Sequence, residues 1–520
     1  MTINRQADVI AFLSKPESYA PGVEGVERHE THGSIVFLAG EFAYKLKRAV
    51  RYPYMDYSTA ELRRHMCMRE LAVNRRTAAD LYLGVRPVVA DRSGGLRWGG
   101  PGTESEAVDW VVVMRRFAQS DLFEEKRKAG RLTAALARSL AESIAAFHAA
   151  AEPRSASGGA AGLAAVVTEN VAILSGMTGK PFRAGDIAAL SQRSRSALSQ
   201  VAALLDRRRK DGFVRVCHGD LHLNNICLMD GKPALFDAIE FNAAFSDIDV
   251  VYDLAFLLMD LVRHGLTGFA NTVLNRYLEL TWDHGALPAL PVFLSCRAAV
   301  RAHVTVSIGS AAGQSFRREE ALDLLHMALG FLAPANPQLV AIGGVSGTGK
   351  STLAYSVAPR LRPLPGAITI RSDLVRKHLS GVSETTRLPE SAYTPEMTGR
   401  VYATMARMAS EILRAGYSVV ADAVYGEPAQ RREIETVART AGRAFTGFWL
   451  EAPEGQLFDR LAQRRADASD ANVAVLRHQL ATITPPCSWA RLDAGNTPAD
   501  CASRVDKILN AGANLDVAQV

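Results

Sequence analysis

Two short segments of the chain contain residue types suited to phosphoryl transfer. Residues 344–351 read GVSGTGKS, where glycines let backbone N–H groups converge on phosphate oxygens and a lysine supplies positive charge. Residues 217–228 read CHGDLHLNNICL, where an aspartate and an asparagine five residues further on can act as proton acceptor and metal ligand. The sequence therefore predicts two nucleotide sites of different construction.

The glycine-rich segment lies in the context that phosphate binding requires, between a predicted strand (LVAIGG) and a predicted helix (KSTLAYSVAPR). The N-terminus of that helix adds partial positive charge. We expect Lys350 to contact the β- and γ-phosphates of ATP and the Ser351 hydroxyl to hold Mg²⁺. The predicted nucleotide contacts are Gly344, Gly347, Thr348, Gly349, Lys350, Ser351 and Thr352.

Two further predicted strands bring acidic residues to this loop. GYSVVADAVY at 416–425 ends its strand at Asp422, a predicted metal contact. No glutamate follows Asp422 to activate water, which favours transfer to a bound acceptor over hydrolysis. The strand in AITIRSDLVRKHL is followed by Asp373, at the sheet edge where acceptors bind. Asp373 is therefore either the base for an acceptor hydroxyl or a helix N-cap, and Arg376 is a candidate for holding an anionic group.

Arginines follow in FDRLAQRRADASDA, where Arg460, Arg464 and Arg465 lie on a predicted helix. Arginines so placed can neutralise the transferring phosphoryl group, although a solvated charged face is the alternative. GVSGTGKST, RSDLVR, VVADAVY and DRLAQRR together resemble the small P-loop kinases, which include gluconate-kinase-like, zeta-toxin-like and polynucleotide 5′-kinase domains. The resemblance spans nearly all of 338–510 and implies that Asp373 is a base and that Arg460 and Arg464 are lid groups.

In the other segment, Asp220 is the predicted base and Asn225 a predicted Mg²⁺ ligand. Downstream, ALFDAIEF supplies Asp237 as a second metal ligand, with Glu240 as a further acidic candidate. The distance along the chain between Asp220 and Asp237 strengthens the prediction of a second phosphoryl-transfer site.

The same site requires a lysine for the phosphates and a carboxylate that orients this lysine. FAYKLKR offers Lys45, and Lys47 points to the same face of the strand, so both remain candidates. On a predicted helix at 58–81, Glu70 falls within an apolar stripe. A carboxylate on a buried face is costly unless it is paired, and Lys45 is the expected partner.

WVVVMRRF at 110–117 reads as a strand and a hinge, with Met114 as a candidate contact for adenine. HGDLHLNN, FDAIEF and DVVYDLAF resemble the aminoglycoside phosphotransferase-like branch of the protein-kinase-like superfamily, over roughly 30–330. The resemblance implies that Asp253 braces the catalytic loop. Gly219 replaces the arginine of H-R-D and no D-F-G is present, which favours a small-molecule acceptor. Arg297 and Arg301 are candidates for binding an anionic acceptor or for pairing with surface acids.

The prolines of APANPQ at 333–338 mark the predicted domain boundary. We expect an α+β protein-kinase-like bilobal domain over 1–332, with a small lobe over about 1–116 and a large lobe over 117–332. An α/β P-loop kinase domain with a parallel sheet should follow over 338–520. This order resembles a bacterial family of bifunctional aminoglycoside phosphotransferase-like and P-loop ATP-binding proteins.

Composition limits the remaining possibilities. A net charge of +6 on 520 residues argues against a nucleic-acid partner, which stays open only for the C-terminal domain. The six cysteines show no zinc spacing and are expected to be free thiols, and the N-terminal residues lack a secretion signal. VVYDLAFLLMDL at 250–261 is too short to span a bilayer. We therefore expect a cytoplasmic protein with no membrane partner.

The sequence thus predicts an ATP- and Mg²⁺-dependent phosphotransferase that acts on hydroxyls of small-molecule acceptors at two sites. One alternative is a nucleic-acid-end or nucleotide kinase in the C-terminal domain, served by an N-terminal module that binds the acceptor. Another alternative is a regulatory protein that senses ATP.

Overall fold

The structure, a computed structural model, describes residues 2–52, 54–91, 94–178, 181–312, 316–463 and 468–517. By packing, the chain divides into two compact units. The first unit comprises Met1–Asp260 and Cys296–Asp323, and the second comprises Leu261–Ser295 and Leu324–Val520. The segment 261–295 therefore groups with the C-terminal part of the chain, while the predicted boundary at 333–338 stays a prediction.

The strands of the first unit are short, and antiparallel pairs join them. They are β1 (Val26–Glu30), β2 (Ser34–Ala39), β3 (Phe42–Lys47), β4 (Arg51–Tyr52), β5 (Met55–Asp56), β6 (Tyr82–Ala90), β7 (Leu96–Trp98), β8 (Ala107–Arg115), β9 (Val214–Val216), β10 (Ile226–Met229), β11 (Lys232–Leu235) and β12 (Asp247–Asp249). The helices up to residue 263 are α1 (Thr2–Leu13), α2 (Ala60–Asn74), α3 (Phe123–Lys128), α4 (Ala134–Ala150), α5 (Gly159–Gly176), α6 (Ala184–Lys210), α7 (Ala243–Ser246) and α8 (Val250–Arg263).

The small lobe is a six-stranded sheet in the order β1-β2-β3-β8-β6-β7. Successive side chains of a strand point to opposite faces, so each face has its own core. Phe37 and Leu46 pack with α1 on one face, whereas Ala43 and Val112 pack with Cys67 of α2 on the other. Lys45 and Lys47 share the parity of Ala43 and therefore face α2.

Threonine side chains cap α2 and α4 at their N-termini. The Thr59 hydroxyl accepts a hydrogen bond from Leu62 N at the start of α2, and the Thr133 hydroxyl does the same for Leu136 N at the start of α4. The helix predicted over 58–81 is shorter in the structure, where α2 spans Ala60–Asn74. Asn74 is buried and its side-chain carbonyl accepts a hydrogen bond from Ala238 N, so this residue connects the end of α2 to the large lobe.

The second unit contains a parallel sheet in the order β14-β15-β13-β16-β17. Its strands are β13 (Leu339–Gly343), β14 (Ile368–Arg371), β15 (Val419–Asp422), β16 (Phe445–Glu451) and β17 (Ala490–Asp493). The helices from residue 267 onward are α9 (Thr267–Thr281), α10 (Leu290–Ala312), α11 (Phe316–Phe331), α12 (Lys350–Val357), α13 (Ser372–Leu379), α14 (Pro395–Arg414), α15 (Pro428–Thr440), α16 (Glu454–Ala462), α17 (Val473–Thr482) and α18 (Pro498–Val517). The predicted fold class is confirmed for both domains.

Helix α9 covers the edge of this sheet through asparagine side chains. Asn275 accepts hydrogen bonds from Thr369 N (2.7 Å) and from the Thr369 hydroxyl (2.9 Å), and it donates to Ala367 O. Asn271 donates to the same carbonyl at 3.0 Å. Because β14 is an outer strand, these side chains satisfy backbone groups that a neighbouring strand would otherwise bind.

Two helical segments, Gly159–Gly176 and His284–Ser307, are long and apolar enough to cross a membrane by length and composition alone. The second is mostly buried inside the protein, as core helices are.

Candidate active sites

The first site is built around Glu70, which is fully buried on α2. Its two carboxylate oxygens accept hydrogen bonds from Lys45 Nζ (2.8 Å) and Lys47 Nζ (2.6 Å). Burial alone would raise the pKa of Glu70, but the two lysines lower it to about 2. Glu70 is therefore ionised at neutral pH, and the expected pairing with Lys45 is present.

The two lysines differ in their second partner. Lys45 Nζ donates to Asp237 Oδ1, whereas Lys47 Nζ donates to Glu240 Oε1, which also accepts from the Tyr57 hydroxyl at 2.7 Å. Asp237, the second partner of Lys45, has a side chain that is 43% exposed, whereas the side chain of Lys47 itself is only 1% exposed. The geometry therefore favours Lys45 as the lysine that meets phosphate. Glu240, a candidate metal ligand from the sequence, is instead the counter-ion of Lys47.

The catalytic loop brings Asp220 and Asn225 together. Asn225 Nδ2 donates to Asp220 O at 2.9 Å and to Asp220 Oδ2 at 3.1 Å, and His222 Nε2 lies 3.3 Å from the same carboxylate oxygen. Burial raises the pKa of Asp220, but His222 and, after it, Arg301 lower it well below the usual aspartate value. Asp220 is therefore a carboxylate at neutral pH.

Asp253 fixes the backbone that precedes Asp220. Its carboxylate accepts hydrogen bonds from His218 N (3.0 Å) and Gly219 N (2.8 Å), and it lies 3.2 Å from His148 Nε2. Against the effect of burial, His148 lowers the pKa of Asp253 to about 2. The bracing role that the resemblance implied for Asp253 therefore has a physical basis in these bonds.

Glycine at position 219 is required by its surroundings. Its φ is +84°, and an added Cβ would lie 2.7 Å from Phe245 O. Arg297 Nη1 donates to Gly219 O at 3.1 Å, with its guanidinium 4.0 Å from the ring centre of Tyr252. Arg297 is buried, so the alternative in which it pairs with surface acids is wrong. Its bond to Gly219 O instead supports the catalytic loop.

Met114 lies on β8 between β3 and β6 and is buried in the core of the small lobe. The following residues 115–118 line a cleft of about 570 Å³ together with Glu41, Phe42 and Leu83. The role of Met114 as a contact for adenine stays a prediction.

The second site is built on the loop between β13 and α12. Gly344, Gly347 and Gly349 all have positive φ, and a Cβ at Gly344 would lie 2.7 Å from Leu450 O. The Thr348 hydroxyl donates to Val345 O at 2.8 Å, and Lys350 Nζ donates to the same carbonyl at 3.1 Å. The loop is therefore closed on itself around Val345, with α12 beginning at Lys350.

Ser351 and Asp422 meet at the carboxyl ends of the strands. The Ser351 hydroxyl donates to Asp422 Oδ2 at 2.5 Å, and Arg371 Nε lies 3.5 Å from the same oxygen. Thr352, a predicted nucleotide contact, follows in α12 and is exposed. The two residues predicted to hold a metal at this site are thus adjacent.

Asp373 lies in the first turn of α13 and is half-buried. The N-cap of this helix is Arg371 and has no side-chain cap, so the N-cap alternative for Asp373 is wrong. Burial raises the pKa of Asp373, Arg371 opposes this shift, and Asp422 adds to it. The electrostatic neighbours of Asp373 are therefore the residues of the phosphate site itself, since Lys350 also acts on its pKa.

The predicted anion and lid arginines have other contacts. Arg376 is buried and donates to Ala392 O (2.8 Å) and to the Thr398 hydroxyl (3.3 Å), so it anchors the segment before α14. Arg460 is exposed on α16 and donates to Ala494 O at 2.8 Å. Arg464 and Arg465 lie outside the described residues. The lid roles of Arg460 and Arg464 stay predictions.

Sequence reasoning missed Arg371 and Gln479. Arg371 ends β14 and is buried beside Asp422, and Gln479 Oε1 on α17 accepts a hydrogen bond from Ser346 N at 2.8 Å. Arg371 stands two residues before Asp373 in the RSD segment, which was the signal available for it. Gln479 is 133 residues from its partner and has no such signal.

Comparison with known proteins finds two family models that match successive parts of the chain. Residues 68–290 match the model of the phosphotransferase enzyme family, and residues 339–486 match the model of an AAA domain. Uncharacterized proteins of Mycobacterium bovis and Mycobacterium tuberculosis are 31% identical over 457 residues, which cover 86% of this chain and 88% of each relative. The chain belongs to the family in which an aminoglycoside phosphotransferase-like domain precedes a P-loop ATP-binding domain.

Two solved structures are each similar to a part of this chain. A gluconokinase from Sinorhizobium meliloti 1021 is 18% identical and covers 36% of this chain and 99% of its own, with a TM-score of 0.28. A choline/ethanolamine kinase family protein from Mesorhizobium loti is 15% identical and covers 63% of this chain and 99% of its own, with a TM-score of 0.36.

Proposed function

We propose that the protein is an ATP-dependent phosphotransferase with two active sites, each of which transfers the γ-phosphoryl group to a hydroxyl of a small-molecule acceptor. The observation that carries the proposal is the bond of Lys45 to both Glu70 and Asp237. It joins a phosphate-binding lysine, its orienting carboxylate and a predicted metal ligand within one cluster, as kinase chemistry requires.

At the first site, Asp220 orients the acceptor hydroxyl and receives its proton as the phosphoryl group leaves ATP. Its low pKa makes it a weak base, so positioning contributes more to the rate than early deprotonation. Asn225 holds the Asp220 carboxylate through Nδ2. Lys45 binds phosphate oxygens, and Glu70 keeps this lysine in place.

At the second site, the loop around Val345 binds phosphate through its backbone N–H groups, and Lys350 adds charge. Asp373 is the proposed base. Its raised pKa makes it a stronger proton acceptor than Asp220 whenever it is ionised. Arg371 is placed to balance the charges of Asp373 and Asp422.

The donor sets at both sites are oxygen atoms, which fit the preference of Mg²⁺. Asn225 and Asp237 would hold the ion at the first site, and Ser351 with Asp422 would hold it at the second. Bound there, Mg²⁺ would neutralise charge on the β- and γ-phosphates of ATP. We place the protein in the cytoplasm, where ATP is available.

The test uses the full chain with ATP, Mg²⁺ and a bacterial metabolite extract, and mass spectrometry detects new phosphorylated species. Wild type is compared with Asp220→Ala and Lys350→Ala. We expect each substitution to remove a different product, with a rate loss of roughly 10²–10⁴ for Asp220→Ala.

The other outcomes separate the alternatives. Loss of the same product in both variants would show two sites acting in series. Absence of any product from wild type that still binds ATP would contradict the proposal and favour a regulatory protein that senses ATP.

A further inference from the structure

Arg301 is the feature of the first site that the proposed chemistry does not use. It lies on α10 one turn after Arg297 and is half-buried, with its Nε buried and without a hydrogen-bond partner. Among the residues that the structure describes, it forms neither a hydrogen bond nor an ion pair. Because this Nε is shielded from water and has no acceptor in the described part of the chain, a ligand that supplies one gains a charge-assisted hydrogen bond.

Ring contacts place this guanidinium beside the catalytic loop. The Arg301 guanidinium carbon lies 6.0 Å from the ring centre of Phe256 on α8. The ring of His222 packs edge-on against the same Phe256 at 5.5 Å, and His222 Nε2 is 3.3 Å from Asp220 Oδ2. Arg301 is thus separated from the proposed base by one histidine and one phenylalanine.

The electrostatics agree with this placement. The charge of Arg301 contributes to lowering the pKa of Asp220, after the larger contribution of His222. It also opposes the rise in the pKa of His222.

Arg297, on the same helix, has a structural role. Its guanidinium is committed to Gly219 O and Tyr252 O and stacks on the Tyr252 ring. Arg301 shares the position beside Phe256 without such carbonyl partners. Arg297 Nη2 is also buried without a partner among the described residues, so the two residues differ in the carbonyl bonds that fix the Arg297 guanidinium and that Arg301 lacks.

We propose that the acceptor of the first site carries an anionic group, a carboxylate or a phosphate ester, which binds Arg301 while its hydroxyl meets Asp220. The inference rests on the proposed function and names its substrate class. A guanidinium matches both groups because its N–H donors form a planar fork. The anion would also supply the acceptor that the buried Nε lacks.

The experiment uses the full chain with Lys350→Ala, so that only the first site transfers phosphate. A bacterial metabolite extract is separated by anion exchange at pH 7 into retained and unretained fractions, and each is incubated with ATP and Mg²⁺. We expect a product that depends on Asp220 to arise from the retained fraction. Arg301→Gln should lower its yield at limiting acceptor by about tenfold or more, and Arg301→Lys should restore part of it.

Arg195→Gln is the matched control, because Arg195 is an exposed arginine on α6 of the same unit. Binding of a fluorescent ATP analogue, measured in the same Lys350→Ala background, should be equal for both glutamine variants. A drop in nucleotide affinity for Arg301→Gln would assign Arg301 to ATP and overturn the inference.

Two further results separate this inference from the proposed function. A product from the unretained fraction, equal in Arg301→Gln and in the control, overturns the anionic acceptor and leaves the transferase activity standing. No Asp220-dependent product from either fraction overturns both.

Discussion

The two proposed bases differ in the direction in which the protein shifts their pKa. Asp220 lies among cations, and His222 and Arg301 lower its pKa. Asp373 lies beside another carboxylate, and burial with Asp422 raises its pKa despite Arg371. Cations therefore dominate the electrostatic surroundings of Asp220, whereas burial and a second carboxylate outweigh the cations near Asp373. If both sites transfer phosphate as proposed, their bases work from opposite electrostatic surroundings.

The pairing of Glu70 with Lys45 and Lys47 should also stabilise the fold of the first unit. Removing Glu70 leaves Lys45 and Lys47 buried around a missing carboxylate, so we expect Glu70→Ala to lower the free energy of unfolding of the first unit by about 3–5 kcal/mol. Chemical denaturation at pH 7 measures this change. Glu125→Ala removes an exposed pair with Lys128 and serves as the control, with no measurable loss expected. Equal effects of the two substitutions would show that the buried network does not hold the small lobe together.

A pair of glycine substitutions tests whether the two loops tolerate the same strain. Gly219 and Gly349 have φ of +84° and +86°, but only Gly219 has a close neighbour for a Cβ, at 2.7 Å from Phe245 O. Gly219→Ala should therefore move the backbone before Asp220 and lower first-site transfer by roughly 10². Without nucleotide, Gly349→Ala should lower the free energy of unfolding only by the intrinsic cost of a left-handed residue, about 1–2 kcal/mol. Initial rates of first-site transfer and denaturation of both variants without ATP measure the effects, and a smaller loss of stability in Gly219→Ala would contradict the expectation.

The asparagine contacts of α9 make the second unit depend on a segment distant in sequence. Asn275→Ala leaves Thr369 N without its partner in a buried position, at an expected cost of about 1–3 kcal/mol. Hydrogen exchange of the Thr369 amide should accelerate accordingly. Thr272→Ala on the exposed side of the same helix is the control, since its hydroxyl bonds only within α9. Unchanged exchange in Asn275→Ala would mean that α9 does not protect the strand.

The opposite pKa shifts of Asp220 and Asp373 should also give the two sites different pH dependences, the smallest of the expected effects. A base works only when it is ionised, so a lowered pKa moves the acid limb of activity to lower pH and a raised pKa moves it to higher pH. As pH falls from neutrality, second-site transfer should therefore decline before first-site transfer. The pH–rate profile of first-site transfer is measured in Lys350→Ala, and that of second-site transfer is measured in Asp220→Ala. The two profiles give the order. A reversed order would contradict the assignment of Asp373 or Asp220 as base.

The sequence predicted most of the second site because its parts are local. GVSGTGKS carries loop, lysine and hydroxyl in eight consecutive residues, and Asp422 follows a recognisable strand. In a parallel sheet the carboxyl ends of neighbouring strands lie at the same edge, which brings these residues together. Gln479 was missed because no rule connects a residue on α17 to the loop.

The first site was predicted only in part, because its charges come from distant segments. The pairing of Glu70 with Lys45 followed from a carboxylate on an apolar face, which needs a partner. The sequence did not predict that Glu240 pairs with Lys47, because the two residues are 193 positions apart and Glu240 was interpreted as a candidate metal ligand. Likewise, the spacing of Arg297 and Arg301 did not reveal that Arg297 bonds to the catalytic loop while Arg301 contacts the Phe256 ring on α8.

The cover that α9 provides for β14 has a consequence for synthesis on the ribosome. Asn275 and Thr369 are 94 residues apart, so the helix emerges well before the strand that it protects. At about 5–20 residues per second, the wait is roughly 5–20 s. During that time the buried face of α9 has no sheet to cover, and this nascent stretch is where we expect chaperones to bind.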